Sequence, residues 1–219
     1  MNKLVTYLVV IFTSVGLSFP VQADLGGLLS AIPSLGGGPD GQIKSFIDDS
    51  DAINKLIFNS LKAMERAYAT DEERAKINEE MKAFNAITDP KERRAKVAET
   101  LKSDSAKLEE MTKAKDIEEK TKNLDKVRRK DLISGTTNFV IAGFRSTALA
   151  ANGSAIVSSV GSNPLHAIKV VPITAALPIL SEAASTSASL MPQMFKVMKG
   201  ANIQVQKVDA TSKTQEVEF

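Results

Sequence analysis

The sequence contains no cysteine, no tryptophan, one histidine and two tyrosines. Without cysteine the chain has no disulfide, no thiolate nucleophile and no sulfur ligand for a metal ion. The lone His166 has no second imidazole with which to share a metal, so it is interpreted as structural, and no metal or cofactor is expected. Scarce aromatic side chains leave little surface for stacking on sugars or bases.

The charge of the chain is nearly balanced, with a formal net charge of +2. Nucleic-acid-binding proteins usually carry an excess of lysine and arginine gathered on one face. No nucleic-acid partner is therefore expected.

The N-terminal residues are typical of an export signal. A short basic start at Lys3 is followed by an apolar run of about 16 residues and by small residues that end at Ala23. Residues 1–23 are predicted to be a signal peptide that is cleaved after Ala23. The mature chain is expected in a periplasm or outside the cell.

Residues 24–41 are rich in glycine and proline and are predicted to be a flexible lead-in. Asp40 is expected to be the N-cap of the first helix. Apolar residues then recur at spacings of three and four, which predicts one long amphipathic helix. That stripe comprises Ile43, Phe46, Ile47, Ile53, Leu56, Ile57, Leu61, Met64 and Tyr68.

Two further helix starts have clear local signals. Thr70 and Glu73 form a capping box, and Asp89 followed by Pro90 is an N-cap with proline at the first helical position. No glycine or proline interrupts the third helix, which is expected to run to about Lys130. Its apolar stripe is thin and slips in phase between Met111 and Ile117, so this helix is expected to be mostly solvated and projecting.

Charged residues are concentrated in one part of the chain. Residues 70–131 contain about 16 acidic and about 17 basic residues, whereas residues 132–200 contain about 5 charged residues in all. The first part is predicted to form a charged helical hairpin that faces solvent. The second is predicted to form an apolar hairpin over residues 134–199, kinked or split by Pro172, Pro178 and Pro192.

Small residues recur at every fourth position in the first arm of that apolar hairpin. Such a stripe lets a neighbouring helix come close, so it is predicted to be a buried packing face on which Ala151→Leu would be destabilising. The stripe comprises Gly143, Thr147, Ala151, Ala155 and Ser159.

A permanent membrane span is not expected in the apolar hairpin. Asn138 and Arg145 interrupt its first arm, and the longest clean apolar run, residues 170–181, has about 12 residues where a span needs about 20. A buried helical core is the favoured interpretation. Residues 42–200 are predicted to be a single helical domain. Residues 201–219 are expected to be disordered, with a short strand as the alternative.

Few residues point to catalysis. Asp48, Asp49 and Asp51 interrupt a strong helical stripe and lack the spacing of a calcium loop, so they are interpreted as a solvated face. The carboxylate pairs at 109–110 and 118–119 lie in lysine-rich helix, where burial is not expected. The chain is not expected to be an enzyme. Arg128, Arg129 and Lys130 are candidate partner-facing residues.

The predicted fold is all-α, an elongated helical bundle with a charged helical hairpin and an apolar, proline-kinked one. The leading hypothesis is an exported interaction, scaffold or holding protein that binds a protein partner, not yet identified, through the charged hairpin. In outline, an exported, cysteine-free, all-helical chain with one charged arm and one apolar hairpin resembles helical pore-forming toxins and colicin-type domains. That resemblance implies the alternative, a conditionally membrane-active protein that releases residues 134–199 at a membrane surface.

Overall fold

The computed structural model describes residues 38–160 and 168–218, and all regular secondary structure within these ranges is helical. The all-α prediction is confirmed. The predicted signal peptide, most of the lead-in at 24–41 and His166 lie outside the described residues. The helices are α1 (Pro39–Tyr68), α2 (Asp71–Ala86), α3 (Pro90–Thr112), α4 (Ile117–Lys122), α5 (Lys126–Val160) and α6 (Val171–Gly200).

Helix α1 begins one residue before the predicted cap. Gly38 is the N-cap and Pro39 occupies the first helical position, because the ring fixes φ near the helical value. Asp40 therefore lies in the first turn, where its carboxylate forms an ion pair with Lys169 at 2.8 Å. The predicted apolar stripe is confirmed, since each member is buried or half-buried.

The starts of α2 and α3 follow the predicted capping signals. Thr70 accepts a hydrogen bond from the backbone N–H of Glu73 at 3.3 Å, and the Glu73 carboxylate accepts from the backbone N–H of Thr70 at 2.8 Å. Asp89 accepts from the backbone N–H groups of Lys91 and Glu92. These caps satisfy donors that have no partner within the helix.

The prediction of an unbroken third helix to Lys130 is wrong. Helix α3 ends at Thr112, and α4 and α5 follow after short turns. The break coincides with the phase slip between Met111 and Ile117, because the turn rotates Ile117 back to the interior. Helix α3 is also not projecting: it packs on α1 and α6 and buries Leu101 and Leu108.

Helix α5 lies between α1 and α6 and approaches both closely at glycines. A Cβ on Gly135 would be 2.8 Å from the backbone oxygen of Ser60, and one on Gly153 would overlap the Phe46 ring. A Cβ on Gly143 would be 2.5 Å from the Ser187 Cβ in α6. Because later residues of α5 face earlier residues of α1, these two helices run antiparallel.

The structure differs from the predicted small-residue packing face. Gly143 is buried and Thr147 is half-buried, but Ala151, Ala155 and Ser159 are exposed. Four residues turn an α-helix by about 400°, so a spacing of four drifts by about 40° per step and leaves the buried face. The face that is buried follows mixed spacings of three and four: Ala142, Ser146, Leu149, Gly153, Ile156 and Val160.

Helix α6 is one helix despite its prolines. Pro172 lies in the first turn, while Pro178 and Pro192 lie inside the helix, which is not split at either. Pro178 is on the exposed side. The opposite side of α6 is buried, including Ile173, Leu180 and Met194, so the interpretation of this segment as a core helix is supported.

Among the described residues, one helix has the length and apolar composition needed to cross a membrane. It is α5. This differs from the expectation that residues 134–199 hold no segment of sufficient length. Half of its most apolar window is buried inside the protein. A central helix of a helical core has the same length and composition.

Residues 201–218 contain no helix or strand, and residues from Ala210 onward lie against α5. Asn138, near the middle of α5, bonds to the backbone of Gln215, and Arg145 bonds to the carbonyl oxygens of Ala210 and Ser212. Side chains of α5 thus bond to the main chain of residues 210–215.

The close approach of α5 to α1 gives a testable prediction. Gly135→Ala should lower the free energy of unfolding by about 1–3 kcal/mol, because the added methyl group meets the α1 backbone. Ala151→Leu, on the exposed side of the same helix, should change it by less than about 0.5 kcal/mol. Thermal and denaturant melts measure both values, and equal losses would contradict this packing.

Candidate functional site

One edge of α1 is charged although it is buried. Lys62, 7% exposed, makes ion pairs with Glu80 of α2 at 2.7 Å, with Asp104 of α3 at 3.0 Å and with Glu65 at 3.1 Å. Burial by itself lowers the pKa of Lys62, but the three carboxylates raise it above its ordinary value. The ammonium group therefore stays charged and ties α2 and α3 to α1.

One turn further along α1, Arg66 makes a second buried ion pair. Its guanidinium donates to both carboxylate oxygens of Asp131 in α5, at 2.5 and 3.0 Å, and to the Asn78 side chain at 2.6 Å. Arg74 of α2 is 3.0 Å from the same carboxylate. Asp131 thus joins α1, α2 and α5 with charge-assisted hydrogen bonds.

The aspartates near the start of α1 are used in contacts between and within helices. Asp51 forms an ion pair with Arg93 of α3 at 2.9 Å, and Asp48 pairs with Lys44 at 2.5 Å. Burial raises the pKa of Asp49, with a further contribution from the charge of Asp48. Within the described ranges, no group of three or more histidine or carboxylate side chains is arranged to hold a metal ion.

The three candidate partner-facing cations bond within the chain. Arg128 pairs with Asp71 at 2.7 Å and with Asp125 at 3.2 Å. Arg129 donates to the carbonyl oxygen of Lys122 at 3.1 Å. These contacts fix the start of α5 against α2 and α4.

Lys130, the third of these cations, bonds to the tail. It pairs with Glu218 at 2.8 Å, and this contact raises the pKa of Lys130. The cluster at 128–130 is therefore a junction between elements, and Arg128 also forms one wall of a cleft.

That cleft lies in the charged region and has a volume of about 750 Å³. It lies where the end of α1, the end of α3, α4 and the start of α5 meet. Ala67, Met111, Ile117 and Leu124 supply apolar lining. Polar and small residues surround them: Tyr68, Ala69, Ala114, Asp116, Glu119, Lys120, Asn123 and Arg128.

The hydroxyl groups beside the cleft are occupied. Thr121 donates to the carbonyl oxygen of Ile117 at 2.7 Å, so the Tyr68 hydroxyl donates to Thr121 at 2.9 Å. Burial raises the pKa of Tyr68, and the hydrogen bond to Thr121 partly offsets that effect. The phenol therefore stays neutral, and the wall of the cleft is fixed. This arrangement suits binding by shape better than proton transfer.

No pattern in the sequence predicts this cleft. Its apolar lining comes from three helices and the turn between α4 and α5, so no single periodic stripe contains it. The phase slip between Met111 and Ile117 was the local signal, because the break in the helix at that point creates the concave surface.

Comparison of the chain with protein-family models, with curated proteins and with solved structures gave no match. What the cleft binds is therefore inferred from its own residues.

The buried pair at the start of α5 gives a second prediction. Asp131→Ala should lower the free energy of unfolding by about 3–5 kcal/mol, because it leaves the buried Arg66 without its partner. Glu72→Ala also removes a carboxylate from an ion pair, but an exposed one with Lys76, and should cost about 0.5 kcal/mol or less. Denaturant melts compare the two variants, and a mild effect of Asp131→Ala would show that the pair is not needed.

Proposed function

We propose that the chain is an exported helical scaffold or holding protein that binds a protein partner through the charged face formed by residues 70–131. The observation that carries this proposal is the cleft of about 750 Å³ within that face. It combines an apolar floor with a rim of both charge signs. Such a combination is typical of a contact point where a partner inserts an apolar side chain and the rim orients it.

The charged residues at the rim of the cleft would orient a bound ligand. Asp116 and Lys120 form an exposed ion pair at 2.9 Å on one side, and Arg128 lies on another. Exposed pairs of this kind contribute little to stability and are easily exchanged for pairs with a partner. The expected ligand is therefore an apolar side chain that carries charged neighbours, as on an amphipathic helix.

The proposal also concerns the architecture of the protein. It is an elongated bundle in which the charged helical hairpin presents the partner-binding face. The apolar, proline-kinked hairpin supplies the core that holds it. In support, α3 packs on both α1 and α6, so the cleft is attached to the apolar helices through buried contacts.

A substitution in the cleft tests partner binding. Ala114 is exposed and lines the cleft, whereas Ala106 is exposed on α3 away from it. A photo-crosslinking side chain at 114 should capture the partner in the native compartment, and one at 106 should not. Ala114→Glu should then weaken the purified complex by about tenfold or more, because it puts a charge into an apolar contact.

Calorimetric titration measures that affinity, and Ala106→Glu is the matched control with the same added charge. Both variants should melt as the wild type does, since both sites are exposed. Equal affinity of the two variants for the captured partner would refute the cleft as its binding site.

A second candidate function is conditional membrane activity of residues 134–199. The length and composition of α5 favour it, together with the exposed small residues Ala151, Ala155 and Ser159 and the exposed Ile168 and Val171. Small-residue faces are common where helices associate in membranes.

Liposome flotation of residues 24–219 at neutral and acid pH, with and without anionic lipid, tests this second function. The expected result is flotation together with leakage of entrapped dye under at least one of these conditions. Protein that stays at the bottom of the gradient under all of them would exclude a membrane role.

A further inference from the structure

One face of α5 is covered by the tail segment, here defined as residues 210–218. The central contact is Asn138, whose side chain is 2% exposed. Its amide nitrogen donates to the carbonyl oxygen of Gln215 at 2.8 Å, and its amide oxygen accepts from the backbone N–H of Gln215 at 2.7 Å. This pair of bonds is the pattern that two neighbouring strands exchange in an antiparallel sheet.

Arg145 makes two more bonds to the main chain of the tail segment. Its guanidinium donates to the carbonyl oxygen of Ala210 at 2.9 Å and to that of Ser212 at 3.1 Å. Ser134 and Lys130 contact side chains instead, those of Gln215 and Glu218. Four of these six contacts are thus to main-chain atoms, which any extended peptide possesses.

The contacts follow a regular order along the helix. Arg145 meets residues 210 and 212, Asn138 meets residue 215, and Lys130 meets residue 218. The tail segment therefore begins in a turn at residues 209–212 and then runs antiparallel to α5. Ile141, which is fully buried, lies on the same helical face between Asn138 and Arg145.

A largely exposed linker connects the tail segment to α6. Residues 204–207 are exposed, and Asn202 has a positive φ of 58° that turns the chain away from the helix end. Few side chains of this linker are buried. The linker therefore does not determine whether the tail segment binds α5 of its own chain or α5 of a second copy of the protein. The contacts on α5 alone dictate where it binds.

We propose that Lys130, Ser134, Asn138, Ile141 and Arg145 form a peptide-binding groove that takes the tail segment of a second copy of this chain. A second copy offers the same backbone pair at Gln215 and the same carboxylate for Lys130, so each contact is reproduced between copies. Exchange of an identical segment is a route to dimers that needs no new interface. Within one chain, the high effective concentration of its own tail favours the closed monomer.

Two complementary variants of the full chain separate the groove from the tail. Gln215→Pro removes the N–H that Asn138 accepts, which leaves a free groove and a disabled tail. Asn138→Leu removes the amide, which leaves a free tail and a disabled groove. Lys207→Pro, in the exposed linker, is the control for a proline outside the contact.

The expected result is a 1:1 heterodimer when the Gln215→Pro and Asn138→Leu chains are mixed. Sedimentation and native mass spectrometry should show each variant alone, and the Lys207→Pro control, to be monomeric. A labelled peptide with the sequence of residues 209–218 should bind the Gln215→Pro chain about tenfold or more tightly than the double variant that also carries Asn138→Leu. Melts of each chain check that it is folded, and Asn138→Asp replaces Asn138→Leu if the latter unfolds.

Failure of both the mixture and the labelled peptide, with all chains folded, would overturn the groove itself. Peptide binding without a heterodimer would overturn the second copy as its occupant.

Discussion

The position of α5 depends on the buried ion pair between Arg66 and Asp131. Desolvation of two charges offsets much of their attraction, so a buried pair contributes more to specificity than to net stability. Here the pair fixes register: Arg66 is two residues beyond Met64, which packs on Gly135. A slide of α5 along α1 would break the pair and also separate the two backbones. The junction at 128–130 and the groove that holds the tail segment both follow from this register, because both lie on α5.

The helices that form the cleft also contact the helices of the core. Helix α4, which forms one side of the cleft, contacts the C-terminal end of α6, where Glu118 lies against Gly200. On the other side, the bond between Tyr68 and Thr121 fixes α4 to the end of α1. The proposed partner would therefore contact a wall that is held from both sides. Preorganised walls of this kind reduce the conformational entropy lost on binding.

The features that were predicted correctly from the sequence are those that depend on interactions between residues close together in the chain. The capping residues Thr70 and Asp89 and the apolar stripe of α1 were identified because each acts within a few residues of its own position. The break after Thr112 was missed because no glycine or proline marks it, and the small-residue stripe was misassigned because a spacing of four does not follow the helical repeat. The contact between α5 and the tail segment was not predicted because Asn138 and Gln215 are 77 residues apart, and no local pattern encodes that pairing. The cleft is likewise a product of four elements that only the tertiary fold brings together.

The position of α5 in the chain has a consequence for biosynthesis. Among the described helices α1 is synthesised first, yet its main packing partner is synthesised only after α2, α3 and α4. At roughly 5–20 residues per second, the apolar stripe of α1 waits several seconds for the glycines of α5. During that interval the ion pairs of Lys62 with Glu80 and Asp104 are available as α2 and α3 emerge. In the folded protein these charged helices lie over α1 and form part of the outer surface.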